Sequence, residues 1–112
     1  MDPSVLLRTG TLVLLHVIEG QRVQLDLDYL TVGPKFMGVK LIPPGIHFVS
    51  VEATERAPGD EGSVSKMFLS FQAGDVIVLK WSPSDSTLIR ADPEEEERFS
   101  LGALGLLYHT IV

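Results

Sequence analysis

The sequence predicts a mainly β domain, a β-sandwich or small barrel of five to seven mostly antiparallel strands with a short C-terminal helix. Three observations carry this. Apolar residues recur with period two: Val23, Leu25, Leu27 and Tyr29 alternate with Gln24, Asp26 and Asp28, the spacing at which alternate side chains reach one face of a strand. β-Branched and aromatic residues gather in short runs separated by Gly, Pro and Asp clusters, as in small all-β domains. The length of 112 residues, 45% of them hydrophobic, suffices for one core and not for two.

Residues 11–18 are β-branched and almost wholly apolar, which predicts a strand buried on both faces or at a sheet centre. Residues 23–29 predict one strand with a wet and a dry face. Runs at 46–51, 67–71 and 76–81 are rich in Val, Ile, Phe and Trp and predict further strands. Gly20 and Gly74 fall where turns favour a residue tolerant of positive φ. Gln72-Ala73-Gly74-Asp75 links two such runs and predicts an antiparallel hairpin of 67–71 with 76–81. Residues 57–62, all Pro, Gly, acid or Ala, predict the most flexible loop.

The chain changes character near residue 92, dividing a sandwich over 1–91 from an acidic-capped helix or divergent tail over 92–112. Asp92 suits an N-cap and Pro93 the first helical position, while Glu94 to Glu97 complement the positive end of the helix dipole. Glu95 stands three residues after Asp92, giving a box-like start. Phe99, Ala103 and Leu106 continue at helical spacing, although Gly102 and Gly105 each cost about 1 kcal/mol in a helix interior. Residues 108–112 suit a strand equally well.

The net charge of −6 disfavours phosphate backbones and anionic lipid, so neither nucleic acid nor membrane is expected as a partner. Five acids and one arginine over 92–98 account for −4 of it, and the body is nearly balanced. Cysteine and asparagine are both absent, which removes disulfides, thiolate chemistry, cysteine-ligated metal and N-glycosylation sequons. No run has the length of a membrane helix or the pattern of a signal peptide, and an intracellular protein is expected.

Little catalytic chemistry is legible, and no catalytic residue, cofactor, metal or small-molecule substrate is expected. Asp26 and Asp28 read as a solvated strand face. His16, His47 and His109 share no metal-ligand spacing. The stretch from Gly33 to Gly38 lacks the Lys-Ser or Lys-Thr of a phosphate loop, and Pro34 removes one amide from it. Ser63 sits in no Gly-x-Ser-x-Gly elbow. One alternative is a ligand-binding or enzymatic pocket lined by His16, His47 and Asp26.

Two stretches are unusual. Val32-Gly33-Pro34-Lys35-Phe36-x-Gly38-Val39-Lys40 is followed almost at once by Ile42-Pro43-Pro44-Gly45-Ile46-His47-Phe48. Pro43 pushes Leu41–Ile42 towards an extended backbone, and Gly45 permits a sharp change of direction. The composition reads either as a rigid excursion between two strands or as a stiff protein-binding surface that loses little entropy on docking. The candidate docking or motif residues are Gly33, Pro34, Lys35, Phe36, Gly38, Lys40, Pro43, Pro44, Gly45 and His47. Phe48 and Trp81 are assigned to the core, with Trp81 sharing a strand face with Ile77 and Leu79.

The seventeen residues from Val32 to Phe48 closely resemble the signature of the A-one cistron-splicing factor (AAR-two) family. Residues 12–18, the Gly20 turn and Asp26 support the likeness upstream, and Met67-Phe68-Leu69 and the 76–81 run with Trp81 support it downstream. The resemblance covers about residues 1–91. It implies an N-terminal β-sandwich of a non-catalytic assembly factor for the U5 small nuclear ribonucleoprotein. That factor holds the RNase-H-like region of the spliceosome's large scaffold protein and acts in nucleus and cytoplasm. Leu30 stands where the family has tryptophan and Gln24 where it tends to glycine. The family's later Phe-Leu-Gly-Pro-Tyr-Pro run and its helical domain are absent, so a fragment, a truncated splice product or a divergent gene is expected; an alternative to the binding role is a truncated remnant unable to bind alone.

Overall fold

A computed structural model describes residues 8–53 and 64–98. Eight strands form among them: β1 Gly10–Leu15, β2 Arg22–Leu25, β3 Asp28–Thr31, β4 Gly38–Ile42, β5 Gly45–Glu52, β6 Val64–Phe71, β7 Val76–Ser82 and β8 Thr87–Arg90. They make two four-stranded sheets, ordered β4-β1-β7-β8 and β3-β2-β5-β6. Only β1 and β7 run parallel; every other pairing is antiparallel.

The sheets close on one core. Leu12 and Leu14 of β1, Ile42 of β4 and Ile77, Leu79 and Trp81 of β7 meet Val23 of β2, Val49 and Val51 of β5 and Leu69 and Phe71 of β6. Trp81 is 3% exposed. β1 and β7 are also buried on their second faces, where Val13 and Val78 pack with Ala91. That explains the apolar runs Leu12–Leu15 of β1 and Val76–Leu79 of β7. A fully buried strand has no wet face on which to place polar residues.

Four expectations are corrected. Residues 23–29 form two strands of a hairpin, not one. Asp26 adopts φ 54°, a left-handed conformation that aspartate tolerates, and the chain reverses over Asp26-Leu27 to pair Leu25 with Asp28. Leu27, expected on the dry face, is therefore 90% exposed at the tip. The strand from residue 11 ends at Leu15 rather than residue 18, because His16 turns to φ 65°. The 72–75 turn forms, with the Asp75 N–H donating to Gln72 O at 3.0 Å, but it makes no hairpin. It carries the chain from one sheet to the other, where β7 pairs with β1 and β8 and β6 pairs with β5. β7, apolar from Val76 to Leu79, belongs between two partners, whereas β6 alternates exposed and buried positions and lies at an edge. Phe48 is not in the core: it lies between Val49 and His47 in a strand whose buried face carries Val49 and Val51, so its half-buried ring points outward against Phe68, 5.4 Å away.

A helix begins at residue 93 and is described to 98. Asp92 caps it: its Oδ1 accepts the Glu95 N–H at 2.9 Å, and this bond holds the Asp92 carboxyl below its ordinary range. The acidic run is not simply a solvated face. Glu95 pairs with Lys80 at 2.8 Å, and Glu96 pairs with Arg90 at 3.2 Å while accepting the Val78 N–H at 3.0 Å. Glu96 thus satisfies a β7 amide just beyond the end of the β7–β8 ladder. The expectations for 57–62 and 99–112 lie outside the described residues.

A candidate protein-docking face around β4

The Val32–Phe48 stretch is not one excursion. Its middle, Gly38–Ile42, is the edge strand β4, with an exposed turn at each end. Three features pin it. The Leu14 N–H donates to Met37 O at 2.8 Å. Val32 and Ile42 are buried in the core. At Gly38 the β1 backbone passes so close that a Cβ would lie 1.9 Å from Leu12 O and 2.9 Å from Leu12 C. Only glycine allows that approach.

The two ends differ in chemistry. In the first turn the Phe36 N–H donates to Gly33 O at 3.3 Å, Pro34 and Lys35 are exposed, and the Phe36 ring packs partly on the core. Phe36 is thus an anchor of the turn more than a free docking aromatic. At the second end, Gly10 pairs with Ile42 and Leu12 with Val39, leaving Lys40 and Leu41 opposite Thr11 alone. This is a β-bulge. Leu41 sits in it at φ 63°, a conformation that costs an L-residue about 1–2 kcal/mol. The expected extended backbone at Leu41–Ile42 therefore fails at Leu41, since Pro43 restricts only the residue directly before it.

Pro43 and Pro44 follow as an exposed bend that runs into the exposed first residues of β5, Gly45 and Ile46. Gly45 has φ 130°, which a side chain would strain. His47 ties the bend down from its inner side. Its Nδ1 lies 2.5 Å from Asp26 Oδ2 and its Nε2 2.6 Å from Pro43 O. The Phe71 ring meets the imidazole edge-on at 5.8 Å. Asp26 is held in turn by β5: its Oδ1 accepts the Phe48 N–H at 3.0 Å, and its own N–H donates to Phe48 O at 2.8 Å. The His47 hydrogen bond, then the Phe48 amide, lower the Asp26 pKa against a small opposing effect of burial. For His47, burial favours the neutral ring, but the Asp26 hydrogen bond, the Pro43 carbonyl and the Asp26 charge outweigh it and raise the pKa.

A groove of about 190 Å³ opens beside this pair, lined by the apolar Leu25, Val39 and Ile42 and by Asp28, Lys40 and Pro43 along with Asp26 and His47. His16 is not in it; it is exposed beyond the opposite end of β1 from the Gly10–Ile42 pairing. The alternative pocket of His16, His47 and Asp26 is therefore only two-thirds assembled, and His109 lies outside the described residues. Among the described residues no three His, Asp or Glu side chains gather to hold a metal, and no helix is long and apolar enough to cross a membrane.

Asp26 and the outer face of β5 and β6 were poorly legible in the sequence. Asp26 hid inside a regular alternation. The exposure of Ile46 and Phe68 leaves no mark in the sequence, because strand periodicity does not say which face is covered.

A family model described as the AAR2 N-terminal domain matches residues 8–106. The chain belongs to the AAR2 family. The human protein AAR2 homolog is 39% identical over 87 residues, covering 73% of this chain and 23% of its own length. The mouse protein AAR2 homolog is 37% identical over 87 residues, and the Caenorhabditis elegans one 36% over 81, covering 69% of this chain and 19% of its own length. The chain therefore spans about a quarter or less of the length of these AAR2 relatives.

Proposed function

We propose that this domain is a non-catalytic protein-binding module of a pre-mRNA splicing assembly factor, acting in nucleus and cytoplasm. Its partner in this reading is the RNase-H-like region of the large U5 snRNP scaffold protein. Membership in the AAR2 family supports the splicing role. The observation that carries the binding role is the build of β4: a strand pinned by Gly38 that presents Pro34 and Lys35 at one end and Pro43, Pro44 and Ile46 at the other. Stiff exposed turns on a rigid strand lose little entropy on docking. Both ring nitrogens of the imidazole beside Asp26 face fixed oxygens, so the ring serves to hold the second turn in place.

The test is a calorimetric titration of the 112-residue chain with that scaffold region, wild type against Lys35→Glu combined with Ile46→Asp. Both side chains are exposed, so melting should not move. Affinity is expected to fall at least tenfold, about the loss of one strong interface residue. Unchanged affinity in a folded variant would refute docking through β4.

A further inference from the structure

His47 faces two oxygens that can only accept. An ionised carboxylate has no proton to give, and a peptide carbonyl never has one. A neutral imidazole has a single N–H, so one ring nitrogen would turn a lone pair towards Asp26 Oδ2 at 2.5 Å or Pro43 O at 2.6 Å. The imidazolium alone satisfies both. The charged groups around the ring are Asp26 from the β2–β3 turn, Asp28 at the start of β3 and Lys40 from β4. From β6 come only the uncharged Leu69, paired with His47, and Phe71.

We propose that the His47 imidazolium is a protonation-dependent latch that fixes the Pro43-Pro44 bend, at the start of β5, against the Asp26 turn. On deprotonation the remaining N–H stays with the charged Asp26, and the lone pair of Nε2 then opposes the Pro43 carbonyl. The bend parts from the ring at that point. Pro43 and Pro44 keep their own φ fixed, so the movement is taken up at Gly45, around which there is open space. The His47 pKa lies above the ordinary histidine value, so the latch opens only as pH rises past that value. For its effect on binding, the latch rests on the docking role proposed above; its existence does not.

An NMR pH titration of the 112-residue chain without partner tests the latch. The His47 ring and the Gly45 and Ile46 amides are expected to titrate with one common midpoint above about 6.5. Asp26→Asn should lower the His47 midpoint, and His47→Gln should abolish the titration of the two amides, while the Trp81 indole resonance confirms a folded core. A His47 midpoint at or below the ordinary value, or bend amides that do not follow it, would overturn the proposal. A second arm measures wild-type affinity for the scaffold region at pH 6 and pH 8. At least a fivefold weakening at pH 8, absent in His47→Gln, supports the coupling of latch to docking. A common midpoint with pH-independent affinity upholds the latch and refutes docking through this bend.

Discussion

Two glycines five positions apart in the β4 stretch should respond oppositely to alanine. At Gly38 the new Cβ would stand 1.9 Å from Leu12 O, 2.9 Å from Leu12 C and 3.0 Å from Val13 Cα. All three atoms are backbone, so no side chain can swing aside. β4 must retreat from β1 by more than an ångström before the worst contact reaches even 3.0 Å. The Leu14 N–H to Met37 O bond of 2.8 Å does not survive that movement. Overpacking costs about 1–3 kcal/mol, and each lost backbone bond adds about 0.5–1.5 kcal/mol. Gly38→Ala should therefore destabilise by roughly 2–4 kcal/mol, a large share of the ~5–15 kcal/mol of a small domain. At Gly33 nothing lies within 4 Å of the added carbon, and the position before Pro34 already favours an extended backbone. Gly33→Ala should stabilise by about 0.4–1 kcal/mol through the unfolded chain. Urea denaturation followed by the fluorescence of the buried Trp81 measures both. With a slope of about 1–3 kcal/mol per molar, the midpoint should fall by about 1–2 M for Gly38→Ala and rise by a few tenths for Gly33→Ala. A Gly38→Ala midpoint within 0.2 M of wild type, taking about 0.5 kcal/mol as the resolvable difference, would refute the close-approach argument. So would a Gly33→Ala variant that is the weaker of the two.

Trp81→Ala leaves a void in the core beside the end of β7 and should cost about 3–5 kcal/mol, seen by circular dichroism as a melting temperature lowered by more than about 10 °C; a drop of only a few degrees contradicts its packing. Asp26→Asn removes a carboxylate whose lowered pKa makes its contribution present above about pH 4 and lost as pH falls through it. The His47 contribution is fully present below about pH 6.5 and lost as pH rises through its raised pKa. The wild-type and Asp26→Asn stabilities should therefore differ most between about pH 5 and 6.5, by about 1–2 kcal/mol after discounting for an Asp26 side chain that is 44% exposed; a difference that grows at pH 9 would reverse the sign of the argument. Glu96→Gln weakens the acceptor of the Val78 N–H and the pair with Arg90, and should cost about 1 kcal/mol together with faster amide exchange at Val78; unchanged exchange there would mean the carboxylate does not cap β7.

Much of the architecture was legible because it follows from periodicity. The apolar run at 11–18 announced a strand with no wet face and the run at 76–81 a further strand, and β1 and β7 are the two central strands of one sheet. Asp92-Pro93 announced the helix start through the chemistry of its cap. The readings that failed depend on what lies across space. The 23–29 alternation is locally perfect, yet the left-handed Asp26 breaks it because the Phe48 backbone and His47 ring are there to receive its polar groups. The 72–75 turn has every local mark of a hairpin. Pairing partners decided otherwise, since β1 offers β7 a fully apolar neighbour and β6 does not.

The same division runs through the candidate site. The sequence by itself determined that this is a small cysteine-free β domain with an odd Gly- and Pro-rich signature, because composition and spacing constrain strands and turns directly. Tertiary structure alone decided what each signature residue does. Gly38 is there for a backbone that passes within contact distance, and Gly45 for a conformation closed to side chains. Phe36 turns inward, Phe48 turns outward, and His47 meets an aspartate 21 residues earlier in the chain. Each of these roles depends on the distance between groups remote in sequence, and periodicity along one strand holds no record of that distance.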